Sequence, residues 1–230
     1  MNEMFLHSTF FGAFITFLFY QAGAALKKKT GLAIFNPILV SAILIIVLLK
    51  VFRVDYETYN NGAKYITYLL TPTTVCLAIP LYEQFELLKK HPAAIMAGII
   101  SSVVTSGLLV LAFSILFGLS HKEYVTFLPK SVTTAIGISL SEQLGGYVAI
   151  TVVSIIITGI FGNISAGAIL RLFRVTDPIA KGVAIGSASH AVGTAKAIEM
   201  GEVEGAMSSL SIAVAGLLTV VGASVFAHFL

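Results

Sequence analysis

The chain has 230 residues, 57% hydrophobic and only 11% charged, with a formal net charge of +3 and a mean hydropathy of +0.95. A soluble domain carries about 25% charge, so this chain cannot cover a water-facing surface and its solvent must be lipid. Basic residues are not interleaved with aromatics, which argues against nucleic acid as a partner. The single cysteine, Cys76, excludes an internal disulfide and a multi-cysteine metal site.

Apolar runs long enough to span a bilayer lie at 5–26, 31–49, 92–119, 147–172 and 206–230. The first lacks a cleavable small-x-small site after a short apolar core, so it predicts a membrane helix rather than a removable signal. The phenylalanines within 5–19 are expected to face lipid. A sixth run, 65–82, is interrupted by Pro72 and Pro80. Each proline removes a helix hydrogen bond that neighbours or water must replace in lipid.

Two stretches, 123–146 and 178–203, are semi-polar and glycine-bearing. Each could be a broken helix that crosses or a hairpin that enters and returns, and in both cases it must face protein or a wet cavity. The positive-inside rule favours re-entry. With Lys27, Lys28 and Lys29 inside, a re-entrant 123–146 brings Arg171, Arg174 and Lys181 inside as well, whereas a full crossing puts both arginines outside.

The strings KSVTTAIG (130–137) and GSASHAVG (186–193) align at an offset of fifty-six. Ser131 meets Ser187, Thr133 meets Ser189, Gly137 meets Gly193, and each copy leads into a long apolar run. If the first copy returns to its own side, one crossing separates the two and they enter from opposite faces. Such inverted repeats place irregular segments at the bilayer midplane, where secondary transporters bind substrate. A fainter echo at an offset of fifty-nine draws Pro72, Thr73 and Thr74 into the same neighbourhood.

Lys130 has two readings. A lysine at membrane depth costs roughly 2.5–3.5 kcal/mol and marks a pathway or a partner; near the interface it would instead snorkel to headgroups. At depth, a fixed ammonium suits a carboxylate. His190 could couple a proton, since imidazole titrates near neutrality, or could serve as a neutral group bonding helices together. The hydroxyls of Ser131, Thr133, Thr134, Ser187 and Ser189 suit a hydroxy- or keto-acid, although Ser and Thr also pack helices. Gly137, Gly186 and Gly193 fit close approach or a hinge. Catalysis is not expected: Ser189 and His190 are neighbours without a G-x-S-x-G elbow, and no H-E-x-x-H or phosphate-cradling loop occurs. Neither a cofactor nor a metal is implied.

Three strings carry a family resemblance: LLTPTTVCLAIPLY (69–82), LPKSVTTAIGISLSEQLGG (128–146) and KGVAIGSASHAVGTAKA (181–197). In them, and in length and spacing over nearly the whole chain, the sequence resembles the LrgB/CidB family. It departs from the family pattern at Ala135, where a proline commonly follows the paired threonines, and at Ser187-Ala188-Ser189, where Thr-Ser-Ser commonly precedes the histidine. These differences bear on substrate identity more than on membership.

The resemblance implies a multi-pass protein of the bacterial inner membrane working with a small LrgA/CidA-like partner. It implies two functional descriptions: antiholin-like control of murein hydrolase activity and cell lysis, or transport of pyruvate, glycolate or glycerate. The site residues rest on the repeat rather than on the resemblance.

The expectation is therefore an all-α integral membrane protein with about six transmembrane helices, two broken or re-entrant segments and an inverted structural repeat. It forms a single membrane domain, 1–230, with an N-terminal helix pair in 1–60 and a polar-core bundle in 61–230 whose repeats lie near 123–173 and 178–230. The function expected is transport of a small monocarboxylate, with proton coupling through His190. The alternative is the antiholin-like regulator. The expected partners are the lipid bilayer, a small carboxylate, the LrgA/CidA-like protein and a second copy of the chain, which lacks a soluble domain to assemble through.

Overall fold

Helix ends are marked in this chain by residues that replace missing backbone partners. In a computed structural model, which describes residues 8, 10–32, 35–69, 72, 75–76, 79, 82 and 85–230, no strand occurs among the described residues. The chain divides into two units, Met1–Cys76 and Leu77–Leu230.

The first unit holds α1 (Phe11–Thr30), α2 (Pro37–Val51) and α3 (Tyr56–Thr67). The Asn36 side chain accepts from the amides of Ile38 and Leu39, and Pro37 follows at the first helical position, where its missing N–H costs nothing. The α1 helix ends with Lys27, Lys28 and Lys29 in its last turn, against the negative end of its dipole. Thr16 and Tyr59 join α1 to α3 through hydroxyls 2.7 Å apart. Phe10, Phe14 and Phe17 project outward as expected, whereas Phe11, also expected to face lipid, is buried.

The second unit holds α4 (Phe85–Lys90), α5 (Pro92–Phe117), α6 (His121–Phe127), α7 (Thr134–Gln143), α8 (Val148–Leu172), α9 (Pro178–Met200) and α10 (Glu202–Phe226), closed by a 3-10 turn at Ala227–Phe229. Helices α5, α8 and α10 with its closing turn are the ones, among the described residues, long and apolar enough to cross a membrane. They match the predicted runs at 92–119, 147–172 and 206–230 to within a few residues. The 15-residue α2 is apolar but shorter. The 65–82 run is described only in part, at 65–69, 72, 75–76, 79 and 82, and α3 ends within it at Thr67.

The packing gives the directions. The starts of α5 and α10 lie together, where Ile95 and Ile99 bury against Ala206 and Met207. Their ends lie together too, where Val110 packs with Ala223 and Ala227. Helix α8 runs the other way: Thr151, near its start, bonds to the Thr126 carbonyl beside that second cluster. Its end instead packs on α9 through Ala166 and Leu170. Large apolar side chains such as Leu116, Phe117, Phe161 and Leu217 stay exposed on these helices. Their environment must be apolar as well.

Helices α6 and α7 form a hairpin entering from the end of α5. A capping box starts α6: the Ser120 hydroxyl accepts the Glu123 amide, and the Glu123 carboxylate accepts the Ser120 amide. Pro129 then interrupts the helix. The chain returns through α7 to the start of α8, where Tyr147 donates its amide to Thr126 Oγ1 at 2.8 Å. Leu128 and Leu140, twelve positions apart, bury in one cluster, which is possible only if the segment doubles back.

Helix α9 enters from the other end, capped by Asp177 with Pro178 behind it. It breaks at His190, whose φ of 43° and ψ of −145° are not helical. Beyond the break the chain returns. Ile185 and Ala197 share a cluster, although twelve residues of unbroken helix would separate them by about 18 Å. At the entrance, Lys181 pairs with Glu204 at 3.6 Å.

Candidate functional site

The predicted polar segments become the tips of these two hairpins. Between α6 and α7 the chain turns through Pro129 to Thr133, with Thr133 standing at the start of α7 and making no side-chain capping bond. In the second hairpin the tip is Ser189 and His190, both buried. The break positions coincide under the fifty-six-residue alignment, since Thr133 and Thr134 meet Ser189 and His190.

The glycines fit the same register. A Cβ built on Gly137 would lie 3.7 Å from the Pro129 carbonyl, and one on Gly193 would lie 3.3 Å from the Ile185 carbonyl. These two pairs, eight residues apart in each case, are related by the same offset of fifty-six. Gly186 meets a different neighbour, the backbone of Ser208 on α10, whose Cα is 2.7 Å from the point a Cβ would occupy. No side chain fits there, so the first arm of α9 can approach α10 only through glycine.

The two tips share a cleft of about 430 Å³ between α5 and α8, lined by Lys130 and Ser131 from one hairpin and Ala188 and Ser189 from the other. Lys130 donates to Ser106 Oγ and to Ser131 Oγ, each at 3.1 Å. Among the described residues no carboxylate lies within ion-pair distance of this ammonium. The cleft is otherwise rich in hydroxyls, from Ser101, Ser102, Thr105 and Ser106 of α5 and Thr158 and Ser165 of α8. Ser101 and Ser102 also line a neighbouring cavity of about 600 Å³, which includes Ser187 and reaches His91 and Asp177 at the start of α5 and α9. Ser131 and Ser187 line a further small pocket against α10.

Not every predicted residue faces this space. His190 turns onto α8, with Nε2 2.9 Å from the Ile155 carbonyl and its ring against Gly159, where a Cβ would come within 2.6 Å. The Ser187 hydroxyl donates to the Val183 carbonyl at 2.6 Å. Thr133 and Thr134 are half-buried at the start of α7. Pro72 belongs to the first unit and is exposed, while Thr73 and Thr74 lie outside the described residues.

Sequence reading missed the hydroxyl track of α5. Its signal is present: Ser101 with Thr105 and Ser102 with Ser106 are spaced by four, which stacks them on one side of an otherwise apolar helix. Asn163 was missed as well. Its amide donates to the Val192 carbonyl at 2.8 Å, which ties α8 to the second arm of α9 just past the break.

The class is thus an all-helical protein with long apolar helices surrounding two broken segments that meet at a hydroxyl-lined lysine. The family is shown by comparison. The model of the LrgB-like family matches residues 16–229, and the chain belongs to that family. Relatives include the antiholin-like protein LrgB of Bacillus cereus (strain B4264), 39% identical over 222 residues that make up 96% of each chain. The antiholin-like protein LrgB of Bacillus anthracis (strain CDC 684 / NRRL 3495) matches to the same extent. No solved structure matches the chain.

Proposed function

We propose that this chain is a multi-pass protein of the bacterial inner membrane that carries a small monocarboxylate of the pyruvate, glycolate or glycerate type through the cleft at its hairpin tips. The observation that carries the reading is Lys130. Its ammonium is held at the meeting of both hairpins by two hydroxyls and, among the described residues, by no carboxylate, and an ammonium so placed is compensated by an anionic substrate. The hydroxyls around it donate and accept, as recognition of a hydroxyl or keto oxygen needs.

Entry of the hairpins from opposite ends, and the matched registers of Pro129 with Gly137 and Ile185 with Gly193, support an inverted repeat of 123–173 and 178–230. About six spans follow if α1, α2 and the 65–82 run cross as well. His190 keeps a place in this reading as the residue that anchors the second tip. A role in proton coupling would require its ring to exchange the Ile155 carbonyl for a water or substrate partner.

The second reading is an antiholin-like regulator of murein hydrolase activity and lysis, acting with an LrgA/CidA-like membrane partner. The names of the relatives favour it over the carrier. The two readings part at Lys130. Uptake of radiolabelled pyruvate, glycolate and glycerate into proteoliposomes, with and without a pH gradient, should saturate and fall at least about tenfold in Lys130→Ala, the loss expected when a charge-assisted contact worth about 1.5–3 kcal/mol is removed. No uptake by folded protein, alone or reconstituted with the partner, would remove the carrier and leave the regulator. A second copy of the chain, expected as a partner, is tested by cross-linking in the same vesicles.

A further inference from the structure

Away from the cleft, the end of α8 and the start of α9 enclose a cavity of about 560 Å³ lined by Arg171, Arg174 and Lys181 together with Thr176. Glu204, the carboxylate there, is paired with Lys181. Among the described residues neither arginine has a carboxylate within ion-pair distance. Arg171 uses its Nε on the Gly167 carbonyl at 3.0 Å, and that bond fixes the guanidinium while leaving its terminal nitrogens for another acceptor.

Arg174 is the more informative residue. It sits just past the end of α8 with φ of 54°, and Val175 donates its amide back to Leu170 at 2.9 Å. This is the left-handed helix stop that glycine normally provides. The ends of α1 and α5 use glycine, Gly31 and Gly118, at φ of 69° and 63°, while α2 stops on Arg53 at φ of 52°, with the Val54 amide donating to the Leu49 carbonyl at 2.9 Å. An arginine there bears a backbone cost that glycine would avoid. Attraction to the helix dipole accounts for a basic residue somewhere in the last turn, and Arg171 already supplies it. What sets Arg174 apart from Arg53 is its place in the lining of this cavity, beside Arg171 and Lys181.

The rest of the lining is apolar, with Leu170, Val175 and Met200 beside the cations. Lys89 and Lys90 of α4 precede the start of α5, which belongs to the same end of the unit. A cavity with cations at its rim and hydrocarbon at its wall matches an amphiphile carrying a phosphate, and basic pockets on the positively charged side of membrane proteins hold such headgroups.

We infer that Arg171, Arg174 and Lys181 form a binding site for the phosphate headgroup of an anionic phospholipid, with the acyl chains lying along Leu170 and Met200. The site rests on the membrane reading of the long helices but not on transport through the Lys130 cleft.

The test is thermal unfolding of the purified full-length protein in detergent, with phosphatidylglycerol, phosphatidylcholine or inorganic phosphate added. Phosphatidylglycerol should raise the melting temperature saturably, and the other two should not. In Arg174→Gly, which frees the backbone of strain, the lipid-free protein should melt no lower than the parent while its affinity for phosphatidylglycerol falls about fivefold. Arg171→Gln should weaken binding similarly. Lys130→Ala should keep the full lipid response, so failure of the carrier reading leaves this site intact. No phosphatidylglycerol response in the parent, or a response unchanged in both arginine variants, overturns the proposal. An equal response to inorganic phosphate replaces the lipid with a free anion and overturns it too.

Discussion

The two hairpins start from similar strings and reach the middle of the unit by different means. In the first, Pro129 interrupts the helix and the turn is held by hydroxyls: Thr126 Oγ1 accepts the Tyr147 amide, and Thr151 Oγ1 donates to the Thr126 carbonyl at 2.8 Å while lying 2.8 Å from Ser141 Oγ. In the second, no proline intervenes and the turn falls on one residue, His190, in a conformation that costs of order 1–3 kcal/mol. That cost is offset by packing: Gly186 lets the first arm touch the backbone of α10, and Thr194 lies 2.7 Å from Ser208 through their hydroxyls. One hairpin is thus set by local chemistry and the other by its neighbours. Lys130, the lysine lining the cleft, sits on the locally set one.

Glycine substitutions should separate the two most widely. Gly186→Ala drives a methyl into the Ser208 backbone, which cannot yield as a side chain can, so a loss of about 3 kcal/mol is expected. Gly137→Ala meets chiefly Cδ1 of Ile155, the far end of a flexible side chain, and should cost about 1 kcal/mol. Melting of both variants in detergent decides the matter, and equal losses would dissolve the distinction.

Next in size is Thr126→Val, which leaves the Tyr147 amide without its acceptor. The expected loss is about 2 kcal/mol, and hydrogen exchange should quicken at the start of α8 and not in α9. If α9 loosens too, the first hairpin depends on its neighbours as much as the second does.

Tyr124→Phe removes the bond from the Tyr124 hydroxyl to the Phe226 carbonyl, 2.9 Å long, and should cost about 1 kcal/mol in the same melting assay. The smallest effect on stability is expected from Ser106→Ala, below about 1 kcal/mol, because Ser131 still accepts from Lys130. Its effect on substrate affinity should exceed its effect on melting. The reverse order would make Ser106 a packing residue only.

Much of this organisation is legible in the residues. Pro92, Asn36, Asp177 and the Ser120–Glu123 box announce helix starts because capping is a local event. The alignment of 130–137 with 186–193 located both tips. It did not show that His190 faces α8, because a side chain's direction depends on the backbone angles at the break. The α5 serines went unnoticed since small hydroxyls are common in membrane helices and nothing local tells a lining residue from a packing one.

By itself, then, the sequence determined the apolar environment, the long helices and the places where helices break. Hydropathy and capping are sums over neighbours in the chain, and they survive without the fold. The tertiary structure decided that both broken segments double back, that they enter from opposite ends, and that the α5 hydroxyls and Lys130 face one space. A turn of one hairpin and a kink in a crossing helix have the same composition. What separates them is whether a distant helix offers backbone for a glycine to pack on, as Ser208 does for Gly186.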